Sequence, residues 1–358
     1  AHRPVRCRAP AATDRRRLAN VLTPHSSDVP SMLPGDLLAH QGNLSGRGPA
    51  RHRGWLAGTD TVAWVSPPTP LRFTVSRPLA TGAAAVAASG SLRVLPGRVP
   101  GGAARWQRTN HRAEPVTLLG GPAAVIGLAS GVMVGTVIAG DAPASATPGL
   151  VAVVGAGLAG GLDDLFGVTD TKGIGGHLRA LARGEVTTGA VKIVAIGAAG
   201  LLAATLGSRG RSHPLVVAAD GALIAGSANL INLFDLRPGR ALKVSLLVAT
   251  ALAAVPAQRQ PGPESGAVIG TALGLLGDDL AERAMLGDTG ANALGAALAV
   301  DAVRRWSPRA RHLALAGVIA TTLASERVSF TKLIADTPVL NALDQLGRRN
   351  APSLGGTS

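Results

Sequence analysis

Two adjacent carboxylates close an apolar run: Gly160-Gly161-Leu162-Asp163-Asp164-Leu165-Phe166-Gly167 ends a block that begins near Gly149. A charge inside hydrocarbon is costly, whereas one at a helix end reaches water, so paired acids there suit metal binding or proton transfer at an interface. Two further elements hold the same kind of position. Asn229, Asn232 and Asp235 close another apolar block, and their spacing of three sets two amides and a carboxylate on one helical arc. Such an arc can hold a sugar or a hydrated cation. Leu286-Gly287-Asp288-Thr289-Gly290 stands just before a further block, where glycines let backbone approach a phosphate closely. Mg2+ takes one or two carboxylates and leaves its other positions to water and substrate phosphate. Three carboxylate elements meeting at one membrane face would therefore make a magnesium-diphosphate site.

The elements that must position these residues are apolar blocks. Of 358 residues 46% are hydrophobic and only 16% charged, and the apolar residues come in runs rather than periodic stripes, which marks a multi-span membrane protein. The 47 glycines fit such a chain, because small residues let helices pack closely where no hydrophobic effect drives them together. Nine blocks are expected to span: 79–92, 118–140, 149–166, 190–206, 214–231, 242–256, 265–277, 290–303 and 311–324. Several fall short of the roughly 20 apolar residues a span needs, so flanking polar residues complete them. The expected fold is all-α, a polytopic membrane protein of about nine transmembrane helices with a cytoplasmic-side active cleft.

Residues 1–78 are rich in Pro, Arg, Ser and His without a period that could bury a face, and are expected to be a disordered tail. They lack the apolar stretch of a signal peptide. The natural product is expected to begin close to Val75. A transmembrane domain is then expected over 79–330, followed by a cytoplasmic tail over 331–358.

Net charge is +14, and half of it comes from that tail, with 11 Arg against 4 Asp, so the excess does not describe a nucleic-acid surface. The lone Cys7 excludes an intrachain disulfide. Alternating the loops places 17 Lys/Arg on the side of the acidic elements and 7 on the other outside the tail, which makes the acidic side cytoplasmic by the positive-inside rule. Arg304, Arg305, Arg309 and Arg311 around Trp306 run against that assignment. Of the acids, only Asp220 sits well within an apolar run.

Gly155-Ala-Gly157-Leu-Ala-Gly160 matches the dinucleotide fingerprint in letters. That fingerprint needs a helix running on after its third glycine and an acid about 20 residues later. Asp163 and Asp164 follow at once instead, so Gly157 and Gly161 read as a packing face between membrane helices.

Together, Gly-Leu-Asp163-Asp164-Leu-Phe-Gly167, Asn229-x-x-Asn232-x-x-Asp235 and Leu-Gly287-Asp288-Thr-Gly290 resemble the polyprenyl-phosphate N-acetylhexosamine-1-phosphate transferases. This family includes phospho-N-acetylmuramoyl-pentapeptide transferase. A fourth element, Arg112-Ala-Glu-Pro115-Val-Thr117-Leu-Leu-Gly120-Gly121, is similar to the family's first cytoplasmic loop. The likeness covers about residues 79 to 330.

The resemblance implies transfer of a sugar-1-phosphate from a UDP-sugar to polyprenyl phosphate, with Mg2+ or Mn2+ and release of UMP. Asp163, Asp164 and Asp235 would be catalytic, Asp288 and Asp164 would hold the metal, and Asn229 and Asn232 would hold the donor. Arg112, Thr117, Lys172, His177, Arg237 and Arg240 would contact substrate, because the charge of a transferring diphosphate must be neutralised. The expected partners are polyprenyl phosphate, a nucleotide sugar and the cell membrane, with a homodimer as a possible assembly and no nucleic acid. Two departures stand out. Leu236-Arg237-Pro238-Gly239-Arg240 replaces the family's Gly-Leu-Asp-Gly, and Ser325-Glu326-Arg327-Val328-Ser329-Phe330-Thr331-Lys332 stands where the family has a histidine-rich loop. A catalytically inactive member of the family and a secondary transporter are the alternatives.

Overall fold

The computed structural model describes residues 72–99, 101–110, 112–167, 176, 183–184, 187–210, 212–254 and 262–349. The tail up to residue 71, Lys172 and His177 lie outside them. Among the described residues eleven α-helices follow one another: α1 (Arg72–Val94), α2 (Gly120–Ala139), α3 (Thr147–Phe166), α4 (Thr188–Ser208), α5 (Pro214–Phe234), α6 (Arg240–Ala254), α7 (Glu264–Leu280), α8 (Gly287–Arg305), α9 (Pro308–Ser325), α10 (Phe330–Asp336) and α11 (Pro338–Gln345). Each of the nine apolar blocks falls on one of α1 to α9, in order. Helix α1 starts seven residues ahead of its block and carries Pro78 within its second turn, past the orphan N–H groups of a helix start, so the proline forfeits one i→i−4 hydrogen bond.

The chain is a membrane protein by its apolar helices. Among the described residues four stretches, α2, Pro143–Phe166, α4 and α5, are long and apolar enough to cross a bilayer, and α9 with α10, bent by 91°, makes a fifth if the pair counts as one. Length and composition thus mark fewer spans than nine. Helix α6 has only 15 residues, and α8 carries Asp288 at one end and Asp301, Arg304 and Arg305 at the other.

Nearly all of α8 is buried, because α2, α3, α5, α6 and α7 pack around it. A helix enclosed on every side needs no polar stripe, and small residues let its neighbours come near. On α1, Ala80, Ala84 and Ala88 form one fully buried row, spaced four apart. Gly127, Gly131 and Gly135 of α2 meet it: a Cβ added to Gly131 would lie 2.9 Å from the Ala84 Cβ and 2.7 Å from that of Ala267 on α7. Close packing of backbones, rather than large side chains, builds this core.

One departure from an all-α fold positions the site. Strand β1 (Gln107–Thr109) pairs antiparallel with β2 (Pro115–Thr117), with Gln107 opposite Thr117. Asn110 closes the hairpin by accepting the N–H groups of Arg112 and Glu114. Thr117 then exchanges backbone hydrogen bonds with Arg283 and Met285, which ties the hairpin to the turn leading into α8.

At the far end of α8 lies a second set of charges. Arg304 donates to Glu264 at 2.8 Å and to the Ser145 carbonyl, Arg305 faces Asp301 at 3.8 Å, Ser265 donates to Asp301, and Arg311 pairs with Asp220. Asp220 is therefore not the only acid taken into the apolar interior, since Glu264 and Asp301 are fully buried.

Candidate active site

The C-terminal end of α3, the N-terminal ends of α4 and α8 and the turn after α5 come together, and each brings a charged side chain. Helix α3 approaches α8 at Gly160, whose added Cβ would strike the Asp288 carbonyl, and Gly157 admits the Val125 side chain of α2. The packing glycines are thus 157 and 160; Gly161, expected in that role, is looser, with Thr289 Oγ1 3.2 Å from an added Cβ.

Adjacent helical residues point about 100° apart, and Asp163 and Asp164 divide accordingly. Asp164 turns to α8. Its Oδ1 accepts the Asp288 N–H at 3.0 Å, and its Oδ2 accepts the Thr289 N–H at 2.9 Å and the Thr289 hydroxyl at 2.6 Å. A carboxylate on the free N–H groups of a helix start compensates both the orphan donors and the positive end of the dipole. Gly287 makes this approach feasible: its φ is +57°, and an added Cβ would fall 2.8 Å from Asp164 Oδ1. A side chain there would be strained in backbone and would push the capping carboxylate away.

Asp163 faces the cleft. It receives Lys192 Nζ at 3.2 Å, and the same ammonium is bonded to Asp288, so a single cation from α4 stands between two carboxylates. Both acids keep about a quarter of their side chains exposed, 23% for Asp163 and 27% for Asp288. Asp164 and Asp288, expected to share a metal, stand side by side at the start of α8. Asp164 spends both oxygens on α8, and the pair open to the cleft is Asp163 with Asp288.

Asp235, half-buried in the turn after α5, joins the same group. Burial first, then the neighbouring carboxylates of Asp279, Asp288 and Asp164, push its carboxyl well above the ordinary carboxylate range, opposed by a hydrogen bond from the Gly287 N–H. Asn232 lies a turn earlier and accepts the Asp235 N–H through its carbonyl at 3.0 Å. Asn229 and Asn232 are half-buried, and neither amide side chain has a hydrogen-bond partner among the described residues. Arg237 is half-buried in the turn that follows Asp235.

The remaining expected contacts are drawn elsewhere. Arg112 pairs with Glu282 at 2.9 Å and donates to the Arg349 carbonyl, so it fastens the hairpin to the α7–α8 turn and the C-terminal segment. The Thr117 hydroxyl accepts the Leu119 N–H at 3.2 Å, next to the start of α2. Arg240 is buried and gripped by Asp344, with Nε to Oδ1 at 2.8 Å and Nη2 to Oδ2 at 2.9 Å, and it also reaches Thr331. Its place is in the anchor of α11.

Sequence reasoning missed four participants. Lys192 was counted only as loop charge, although a lone lysine one turn into an apolar helix is itself a signal. Arg108 donates to the Asp164 carbonyl, and Arg105 lies over the Phe166 ring at 5.1 Å, so the β1 side of the hairpin grips the end of α3. Thr289 contributes a hydroxyl to the Asp164 cap. Among the described residues no group of three or more His, Cys, Asp or Glu stands in metal-binding geometry. The chain matches no protein-family model and no curated protein.

Proposed function

We propose that this chain transfers a sugar-1-phosphate of N-acetylhexosamine type from a UDP-sugar to polyprenyl phosphate, with Mg2+, in cell-envelope glycan synthesis. The observation that carries the reading is the meeting of Asp163 and Asp288 across the Lys192 ammonium at a membrane-helix end. The donor set suits the metal: two hard carboxylates, partly open to water, already surround a cation, and Mg2+ needs no more protein ligands than that. Asp163 and Asp288 would hold it, and when bound it neutralises charge building on the transferring diphosphate.

In the reaction an oxygen of polyprenyl phosphate bonds to the sugar-bearing phosphorus. The bond from that phosphorus to the bridging oxygen breaks, and UMP departs with the oxygen. Asp163 orients the acceptor phosphate and takes up its proton when it arrives protonated. Asp164 is a positioning residue: its cap fixes Asp288 at the start of α8. Asn229 and Asn232 offer uncommitted amides to the donor sugar, Arg237 offers a charge to its diphosphate, and Lys192 shields the cleft carboxylates from one another.

Nine helices, α1 to α9, cross the cell membrane in this reading, with the aspartate end in the cytoplasm. The ion pairs at the other end support that orientation. Arg304, Arg305 and Arg311 face Glu264, Asp301 and Asp220, so they do not act as free loop charge against the positive-inside rule.

The test is release of UMP from UDP-N-acetylhexosamines by membranes containing the chain. Release that requires both Mg2+ and polyprenyl phosphate is expected; no release from any UDP-sugar tried sinks the transferase. One observation favours a second reading, an inactive member that binds polyprenyl phosphate. Lys192 occupies the space a metal would take, and lipid-phosphate binding indifferent to Mg2+ would select it.

A further inference from the structure

At the end of the bundle opposite the aspartates, a cavity of about 400 Å³ opens between the C-terminal ends of α4 and α8 and the N-terminal parts of α5 and α9. That is the size of a small-ligand pocket. Its charged lining is Arg209, Arg304 and Arg311 against a single acid, Asp220, while Ile224 and Val300 supply apolar wall. Asp220 is only 6% exposed, and one of its oxygens accepts from Arg311. The other, Oδ1, is buried with no hydrogen-bond partner among the described residues, and so is Nε of Arg311. A buried carboxylate oxygen and a buried guanidinium N–H left open beside the same cavity are each costly unless something fills them.

Arg304 already pairs with Glu264 and Arg311 with Asp220, so the lining asks for two things at once, an anion beside Arg209 and a hydrogen-bond donor for Asp220. A phosphate group that carries a neighbouring ammonium supplies both, and apolar wall beside the charges suits the start of an acyl chain. We propose that this cavity binds a phosphodiester head group bearing a hydrogen-bond donor, of the phosphoethanolamine kind. The phosphate sits among Arg209, Arg304 and Arg311, and the ammonium donates to Asp220 Oδ1. The site is separate from the aspartate cleft and does not depend on the activity proposed for it.

Native mass spectrometry of the full chain in detergent tests this. The probes are dihexanoyl-phosphatidylethanolamine, dihexanoyl-phosphatidylcholine, whose quaternary ammonium has no N–H, and tail-less glycerophosphoethanolamine. Phosphatidylethanolamine should bind about tenfold more tightly than phosphatidylcholine, the effect of one hydrogen bond to a charged group. Arg209→Ala should weaken it about fivefold, a charge on a phosphate lost. Arg209 is exposed and has no ion pair among the described residues, so that variant keeps the fold. Asp220→Asn should abolish the preference between the two lipids. Glycerophosphoethanolamine binding as tightly as the lipid would support the same site filled from solution, and weaker binding would support filling from the bilayer. Equal affinity for the two lipids together with no effect of Arg209→Ala, or no binding of any probe, overturns the proposal.

Discussion

The two ends of α8 handle buried charge in opposite ways. At its C-terminal end each acid has an arginine: Glu264 with Arg304, Asp301 with Arg305, Asp220 with Arg311. At its N-terminal end Asp163, Asp164, Asp235 and Asp288 gather around one lysine and the backbone N–H groups of Asp288 and Thr289. At the first, each of these acids is matched and the pairs hold helices together; the arginine left over is Arg209, which lines the cavity beside them. At the second, acids outnumber cations among the described residues, which is the condition for admitting a cation. Local imbalance, not the number of acids, separates a site from a strut.

The sharpest break of this contrast is Asp288→Asn. Removing a carboxylate from a repelling group should leave stability within about 1 kcal/mol, since Lys192 keeps Asp163 as partner. Mg2+-dependent UMP release should nevertheless fall by about a thousandfold, as for loss of a preorganised charge at phosphoryl transfer. A variant that keeps its rate at limiting Mg2+ would remove Asp288 from the site.

The converse holds at the paired end. Asp301→Ala takes a charge partner from the buried Arg305 guanidinium and an acceptor from Ser265, and breaking a buried pair on one side costs about 3–5 kcal/mol. Thermal melting in detergent should show that loss, while the fraction that remains folded should turn over UDP-sugar at the normal rate. A melting temperature equal to wild type would show that the pair contributes nothing.

Much of this contrast was legible before any coordinates. Blocks of apolar residues are long enough to be counted without periodicity, so nine helices fell where nine runs stood. The pairing of Asp163 and Asp164 with Asp288 followed from helix ends alternating between two faces. Other features had no local signature. Glu264 meets Arg304 across 40 residues and Arg240 meets Asp344 across 104, and long-range pairing of single charges leaves no spacing to read. The hairpin over 107–117 escaped because its strands have three residues each, too few for alternation. The division of labour between Asp163 and Asp164 was readable as a difference, but not its direction, since that depends on Gly160 and Gly287 bringing α8 under Asp164.

A third region refines the comparison with the opposite imbalance, one acid among three cations: Asp344 beside Arg240, Arg348 and Lys243. Burial works to raise the Asp344 carboxyl, but the hydrogen bond from Arg240 and the charges of Arg240, Arg348 and Lys243 outweigh it and hold the group below the usual carboxylate range. A carboxyl depressed by folding stabilises the folded form above its unfolded pKa, and that contribution is lost as pH falls through the folded value. Docking of α11 should therefore be firm at neutral pH and weaken below about pH 4. Hydrogen exchange over 338–345, taken relative to the intrinsic rate at each pH, would reveal it as lower protection in acid. In Asp344→Asn the segment should exchange fast already at neutral pH, with little further change; protection unaltered in that variant would show that the ion pair does not hold the helix.

The smallest effect is expected where the sequence put two arginines on equal terms. Arg237 and Arg240 both replace an acidic locus next to the donor arc, and both were expected to contact the donor. Their surroundings separate them. Arg240 is buried in a bidentate pair with Asp344, so Arg240→Ala should act on α11 docking and melting temperature. Arg237 sits half-buried in the turn directly after Asp235, where its charge can meet a diphosphate arriving among carboxylates. A partly exposed charge pair is worth under about 1 kcal/mol, so Arg237→Ala should raise the KM for the UDP-sugar about threefold and leave that for polyprenyl phosphate unchanged. Titration of each substrate at saturating concentrations of the other separates the two. Equal shifts in both constants would mean that Arg237 acts through the fold, and the surplus of negative charge at this end would then be met by Lys192 and the incoming cation alone.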